Sequence, residues 1–320
     1  MAVDPLSDAL RLIDARCVIT SGFSAAGSWS LRFQPKVPLK LTALVRGSCW
    51  LHSDDGADPL LLEEGDVAVM NGRPAIVLCG DLAAEPADAA AIFAASPDPI
   101  VQIGDGRDVL SIGGHVEMNH IGRQLLLAAL PPLTRVRADT DQAPALRWLL
   151  DRLLEERQNK RPGADFATHQ HAQLLLVEIL RAHVADAAPF PPGWLRVLAD
   201  ERIAPALRAL HTDPARPWHL EDLARTAGIS RTTFAEHFKA AAGVPPLTYL
   251  HHWRIRLAER ALRDDDIPIA KLAATLGYGS DSAFSNAFKR ATGTAPSTYR
   301  AIARTTRETI AGLAPSAPRR

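Results

Sequence analysis

Two grammars of apolar and polar positions divide the chain. From about residue 18 to 116 the apolar runs are short: 29–33, 41–45, 49–52, 60–62, 66–70, 75–79 and 109–112. Gly47, Gly65, Asn71–Gly72, Gly80–Asp81 and Gly104–Gly106 separate them. Asp54–Asp55–Gly56 reads as a hairpin turn, because Gly supplies the positive φ such a turn needs. Short strands at close spacing predict an antiparallel β-barrel or sandwich. Beyond about residue 120 the apolar positions recur at helical spacing. Leu125, Leu126, Leu127 and Leu130 stop at Pro131–Pro132. Leu146, Leu149, Leu150, Leu153 and Leu154 form a second stripe, and Leu174, Leu175, Leu176, Ile179, Leu180 and Val184 a third. Such stripes bury one face. Packing on the β-region and pairing of two subunits are both open uses for them. The run from Ala187 to Gly193, with three prolines, cannot continue a helix and reads as a linker.

From Trp194 onward the pattern is helical, and it repeats at an offset of 50 residues. Ser230–Tyr249 and Ser280–Tyr299 share nine identities in twenty positions, Phe234/Phe284, Phe238/Phe288, Lys239/Lys289, Gly243/Gly293 and Tyr249/Tyr299 among them. About one would be expected by chance at ordinary residue frequencies. Each copy predicts a helix-turn-helix. Leu220, Leu223, Ala224 and Ala227 form one stripe, Gly228 ends it and Ser230 caps the next helix. In the second copy Ile269, Leu272, Ala273 and Leu276 precede Gly277, and Ser280 caps. The paired phenylalanines bury each second helix and leave it one polar face, suited to a DNA major groove. Leu250, Trp253, Leu257 and Ala261 share a stripe, so Leu247–Arg263 is expected to be one rigid connecting helix. It would set the two recognition helices about 34 Å apart, in successive major grooves.

Composition narrows the class. The chain has 320 residues, 47% of them hydrophobic, with 36 basic and 36 acidic side chains. That apolar fraction excludes a mainly disordered protein, and the length suits two domains. No apolar run reaches the roughly 18–20 residues that span a bilayer. The N-terminus lacks a signal-peptide pattern, and Cys17, Cys49 and Cys79 form no CxxC pair. A soluble cytoplasmic protein with no membrane partner is expected. The balanced charge hides a bias: residues 200–320 carry 18 basic and 12 acidic side chains, which points to an anionic partner for that part.

The run from Pro268 to Arg300 (ProIleAlaLysLeuAlaAlaThrLeuGlyTyrGlySerAspSerAlaPheSerAsnAlaPheLysArgAlaThrGlyThrAlaProSerThrTyrArg) resembles the second motif of the AraC/XylS family of bacterial transcription regulators. The likeness covers about residues 200–304. ArgGlySerCysTrpLeu (46–51), LeuGluGluGlyAspValAlaVal (62–69) and the helical stretch 163–183 resemble the cupin-type effector domain of one branch of that family. The resemblance implies an α+β two-domain chain: a cupin-like antiparallel β-barrel or sandwich followed by helices, then an all-α domain with two helix-turn-helix motifs. The expected boundaries are 1–120 for the sensor domain, 121–193 for a helical dimerisation segment and linker, 194–305 for the DNA-binding domain and 306–320 for a flexible tail. The expected function is promoter binding controlled by a signal at the N-terminal domain. The expected partners are double-stranded promoter DNA, RNA polymerase, a small-molecule or oxidant effector and a second copy of the chain, with the protein on the nucleoid when bound to DNA. The alternative is a cupin-type enzyme with an appended DNA-binding domain.

The resemblance places base-facing positions at Thr232, Ala235 and Glu236. On the second helix Asp281, Ser282, Ser285 and Asn286 face outward, and Asn286 could pair bidentately with adenine. A carboxylate such as Glu236 is tolerated in a groove when it accepts from a cytosine amino group. Arg231, Lys239, Lys289, Arg290 and Arg300 suit phosphates, which fix register without reading sequence. His219 stands where the family commonly has a capping Thr or Ser.

Cupin folds often hold a metal through histidines and a glutamate. Here His52 and His115 are isolated, Met70–Ile76 contains no histidine, and His169 and His171 lie two apart on a predicted helix, facing different ways. No metal or other cofactor is expected, and no catalytic residue is assigned. Trp29, Phe33, Arg46 and Trp50 are candidate lining for an effector pocket inside the barrel. Cys17, next to Arg16, is the candidate redox sensor, since a neighbouring cation lowers a thiol pKa.

Overall fold

The computed structural model describes residues 4–53, 58–72, 75–159, 161–186 and 191–312, the last seven by backbone alone. The Asp54–Gly56 turn and most of the linker after Ala187 lie outside the described residues. Two compact units emerge: residues 13–191, and residue 192 onward together with the chain up to Leu12, which holds all but the last residue of the first helix, α1 (Pro5–Ile13).

The first unit is a two-sheet sandwich and not a closed barrel. Its strands are β1 (Arg16–Ala25), β2 (Ser30–Phe33), β3 (Leu39–Arg46), β4 (Cys49–Ser53), β5 (Leu60–Leu62), β6 (Val67–Asn71), β7 (Ile76–Cys79), β8 (Ala87–Asp88), β9 (Ile100–Ile103), β10 (Val109–Glu117) and β11 (Leu133–Val136). One sheet has the order β11-β6-β3-β10-β1-β9 and the other β5-β4-β7-β2-β8. All pairs are antiparallel except β1–β9 and β2–β8. Strand alternation explains the core: on β4, Cys49, Leu51 and Ser53 are buried while Trp50 and His52 are only partly covered. Phe23, Leu44, Ala68, Met70, Leu31, Leu51 and Leu78 fill the space between the sheets.

The larger sheet is covered on its other face too. Helix α2 (Ala89–Ala94) precedes β9, and α3 (His120–Ala129) links β10 to β11. After β11 come α4 (Ala143–Asn159) and α5 (Ala164–Ala185). Leu176, Ile179 and Leu180 of α5 meet Leu39, Leu41, Val69 and Val116 of the sheet. Leu146, Leu149, Leu150 and Leu153 of one expected leucine stripe and Leu175, Leu176, Ile179 and Leu180 of the other are core residues, while Leu174 stays exposed. Cover on both faces is why β3 is buried at five of its eight positions.

One strand edge is closed by side chains. β9 pairs with β1 only along Gly22–Ala25, and a register shift between Ile19 and Ser21 marks where the strand changes course. On the uncovered half, Gln173 of α5 accepts from the Cys17 N–H at 2.8 Å and donates to the Ala15 carbonyl at 2.9 Å. Those are the groups a neighbouring strand would have used.

The second unit is all helix: α6 (Trp194–Ala199), α7 (Ala204–Thr212), α8 (Leu220–Thr226), α9 (Arg231–Ala242), α10 (Pro246–Asp264), α11 (Ile269–Thr275), α12 (Asp281–Thr292) and α13 (Pro296–Gly312). α13 continues to Gly312, past residue 306 where a tail was expected. Gly277 has a φ of +78°, and a Cβ there would lie 2.1 Å from the Ala215 carbonyl oxygen. Gly293 has nearly the same φ, +77°, with nothing within 4 Å. Gly293→Ala should therefore cost about 1 kcal/mol, the left-handed backbone penalty alone. Gly277→Ala should cost about 3 kcal/mol or more, because the 212–219 segment must move as well. Urea unfolding of the two variants measures the difference.

Candidate nucleic-acid interface

The sequence repeat is a repeat of geometry. Gly228 and Gly277 turn each pair of helices with φ of +68° and +78°. Ser230 accepts from the Thr233 N–H at 3.2 Å, and Ser280 from the Ala283 N–H at 3.1 Å. Phe234 and Phe238 are fully buried with ring centroids 5.6 Å apart, and Phe284 and Phe288 are fully buried at 5.8 Å. Tyr249 meets Phe238 edge-on at 5.7 Å, and Tyr299 meets Phe288 at 5.4 Å. Gly243 and Gly293 end the second helices with φ of +76° and +77°. At α8 the family's usual hydroxyl cap is absent. Asp222 substitutes in part, accepting from the His219 backbone N–H at 3.3 Å.

With the phenylalanines inward, the opposite face of each second helix is open. On α9, Arg231, Thr232, Glu236 and Lys239 are exposed and Ala235 is half-exposed. On α12, Asp281, Ser282, Asn286, Lys289 and Arg290 are exposed and Ser285 is half-exposed. The 232, 235, 236, 239 set and the 282, 285, 286, 289 set thus occupy equivalent places. Arg231 pairs loosely with Glu221 at 3.1 Å, both side chains more than half exposed, so the pair is weak. Arg300 does not stand with these cations. Its side chain is only 16% exposed and reaches the Ile267 carbonyl and Asp266. Arg254 does related work in the first copy, donating to the Pro214 and Arg216 carbonyls. The sequence shows two arginines 50 residues apart at 254 and 304, and Arg304 also bonds Asp266. That spacing was the available sign that such arginines brace loops.

The connecting helix is one piece of 19 residues, about 28 Å long at 1.5 Å per residue. His211 of α7 stacks on Trp253 of α10 with centroids 3.9 Å apart, and its Nε2 lies 2.9 Å from the Tyr249 hydroxyl. Burial, with Arg256 adding repulsion, holds His211 down at about 3.

The sequence-derived pocket residues are dispersed. Trp29 lies in the sandwich core, edge-on to Phe23 at 5.2 Å. Phe33 packs 6.0 Å from Phe93, with the Lys40 ammonium 4.4 Å over its ring. Trp50 alternates away from the core, and Arg46 is exposed at the end of β3. A cleft of about 1270 Å³ lies elsewhere, lined by β1, the segment after α2 and the start of α5. Cys17 borders it but is fully buried, and burial pushes its thiol up to about 12. Arg16, expected to activate it, is exposed and lies 3.5 Å from Asp14. Cys49 is likewise pushed up to about 12, and Cys79 is raised. Among the described residues no three His, Cys, Asp or Glu side chains come together as a metal set. No described helix is long and apolar enough to cross a membrane.

Comparison with known proteins agrees with this architecture. A cupin family model matches residues 4–185, and a helix-turn-helix domain model matches residues 223–302. A putative AraC-like transcription regulator of Streptomyces antibioticus is 40% identical over 93% of this chain and 98% of its own. One from Streptomyces lividans matches at 40% over the same shares. The transcriptional regulator AlkR of Acinetobacter baylyi is 30% identical over 86% of this chain and 91% of its own. Among solved structures, the DNA-binding domain of AdpA in complex with a target DNA is 29% identical, covering 34% of this chain and 98% of that one, with a TM-score of 0.33. The chain belongs to the AraC-like family of transcription regulators. Within it, this is a member whose helix-turn-helix domain follows a cupin domain.

Two outcomes follow from the buried groups. A depressed histidine favours the folded state above its unfolded pKa of about 6.5, and that contribution is lost as pH falls towards its folded pKa. The urea midpoint of the helical unit should therefore fall between about pH 7 and about pH 5, and His211→Gln should flatten the fall. For the thiols, mass-resolved alkylation near neutral pH should leave Cys17 unmodified in native protein and modify it in urea. Rapid native labelling of Cys17 would contradict its burial.

Proposed function

We propose that the chain reads promoter DNA with α9 and α12 together. The observation that carries this is the duplicated geometry: two capped helices, anchored by equivalent phenylalanines, present equivalent open faces from one all-helical unit. Thr232, Ala235 and Glu236 face bases from the first helix. Asp281, Ser282, Ser285 and Asn286 face bases from the second, where Asn286 carries most of the sequence discrimination. Arg231, Lys239, Lys289 and Arg290 bind phosphates, while Arg300 braces the 266–267 loop.

In this reading the cupin unit receives a signal, a small molecule being favoured over an oxidant by the burial of all three cysteines. The signal shifts the population of DNA-competent states. The protein works in the cytoplasm as a homodimer, which raises affinity by engaging neighbouring sites, and it contacts RNA polymerase at the promoter. Exposed Trp148 and Leu174 on the α4–α5 hairpin support the dimer.

Selection of genomic DNA fragments by purified full-length protein tests the reading. A single strong motif is expected. Asn286→Ala should relax one base position by about 1–3 kcal/mol, and Lys289→Ala should leave the motif unchanged while reducing the salt slope by about one. No enriched motif, at any salt and with cell extract supplied as a source of effector, would overturn it.

A further inference from the structure

The cleft of about 1270 Å³ in the residue 13–191 unit is lined by Arg157, a cation that forms no ion pair with a carboxylate among the described residues. Its floor is β1 from Cys17 to Ser21, beyond the reach of β9. One wall is the segment from Phe93 to Pro99, and the other is the turn between α4 and α5 with the first turns of α5. Arg157 lines it and reaches the strand, donating to the Ile19 carbonyl at 3.3 Å and the Thr20 carbonyl at 3.1 Å. A guanidinium has five N–H donors, so three remain: Nε, buried with no partner among the described residues, and one on each terminal nitrogen, which are the two a ligand would meet. Among the described residues no carboxylate pairs with Arg157.

The other charges of the lining are accounted for. Arg161 bonds Glu156 at 2.9 Å and lies 3.9 Å from Glu155. Asp98 and Asp165 are exposed, where water screens them. Among the described residues half-buried Arg157 is the lining cation without a paired carboxylate, and desolvation lowers its pKa. Such a group gains most from an anion that accepts its remaining donors. The lining is mixed: Ser21, Ser96, Thr168 and His169 are polar, while Phe93, Pro97, Pro99, Phe166 and Ala172 give it apolar stretches. Phe166 is 72% exposed, a ring on the lip with its face uncovered.

We propose that this cleft binds a monocarboxylate with an apolar body, the carboxylate on Arg157 and the body along Phe166 and the 93–99 wall. One guanidinium matches one negative charge, which favours a monoanion over a dianion such as a phosphate monoester. The volume suits a molecule well above acetate in size. That this ligand is the regulatory signal rests on the function proposed above; its binding does not.

The test is calorimetric titration of the full chain with octanoate and with 4-phenylbutyrate, using octanol and octyltrimethylammonium as controls. Saturable binding of at least one carboxylate is expected, and of neither control. Arg157→Gln keeps an amide donor for the strand carbonyls but removes the charge, and should weaken binding ~10-fold or more. Arg157→Lys should recover part of that loss. Phe166→Ala changes an exposed side chain that the fold does not use, and should weaken binding severalfold with an unchanged melting temperature. No saturable carboxylate binding at millimolar concentration, equal binding of octanol, or affinities untouched by both Arg157→Gln and Phe166→Ala would overturn the proposal. Loss of motif selection alone would overturn the DNA reading and leave the cleft standing.

Discussion

Tyr249 and Tyr299 close two equivalent aromatic anchors, and the first of them sits on the helix that begins the second copy. That sharing constrains the helical unit. α10 ends the first helix-turn-helix by packing Tyr249 against Phe238. Its later residues, Ile255, Ala258 and Leu262, form the core around Phe284 and Phe288. The polar partners follow the same exchange: Tyr249 bonds His211 of α7, whereas Tyr299 is tied to Glu259 of α10. α10 therefore does for the second copy what α7 does for the first. A helix packed into both cores leaves neither α9 nor α12 free to turn independently, and this fixes their placement relative to each other.

The sandwich solves a different problem. Its larger sheet is apolar on both faces, so it needs the second sheet on one side and the α4–α5 hairpin on the other. Closing β1 with Gln173 and Arg157 in place of a strand leaves a cleft at the same edge. A side chain that satisfies two carbonyls of a strand edge is also a cation held at the floor of an open volume. Fold stability and ligand chemistry thus meet at Arg157, whereas the space between the sheets is filled.

Much of this was legible in the residues. The 50-residue repeat, its glycines, its capping serines and its paired phenylalanines set out both helix-turn-helix units. The short apolar runs located β2 to β7 and β10 to within a few residues. β1, β9 and β11 were not marked out, because Arg16–Ala25 has Gly22 and Ser24 among its buried positions and the other two are short, at four residues each. Trp29 and Trp50 looked alike as aromatic strand residues, but Trp29 precedes β2 and lies in the core, whereas alternation along β4 turns Trp50 away from it. Arg157 follows Glu155–Glu156 and reads as solvated helix surface. Only the fold brings it to a strand edge 137 residues away in sequence. Arg300 resembled a phosphate ligand until the loop it braces was in view.

If α9 and α12 act as one rigid reader, as proposed above, the spacing of the DNA they bind tests it most directly. Affinity would be measured for the selected motif with its two halves as found, and with five or ten base pairs inserted between them. A rigid α10 predicts that one copy of the chain covers two half-sites about one helical turn, 10–10.5 base pairs, apart. Both insertions should then abolish the contribution of the second half, since the second recognition helix cannot follow it. Retained affinity with the ten-base-pair insertion would show that the two helices move independently, and would contradict the account.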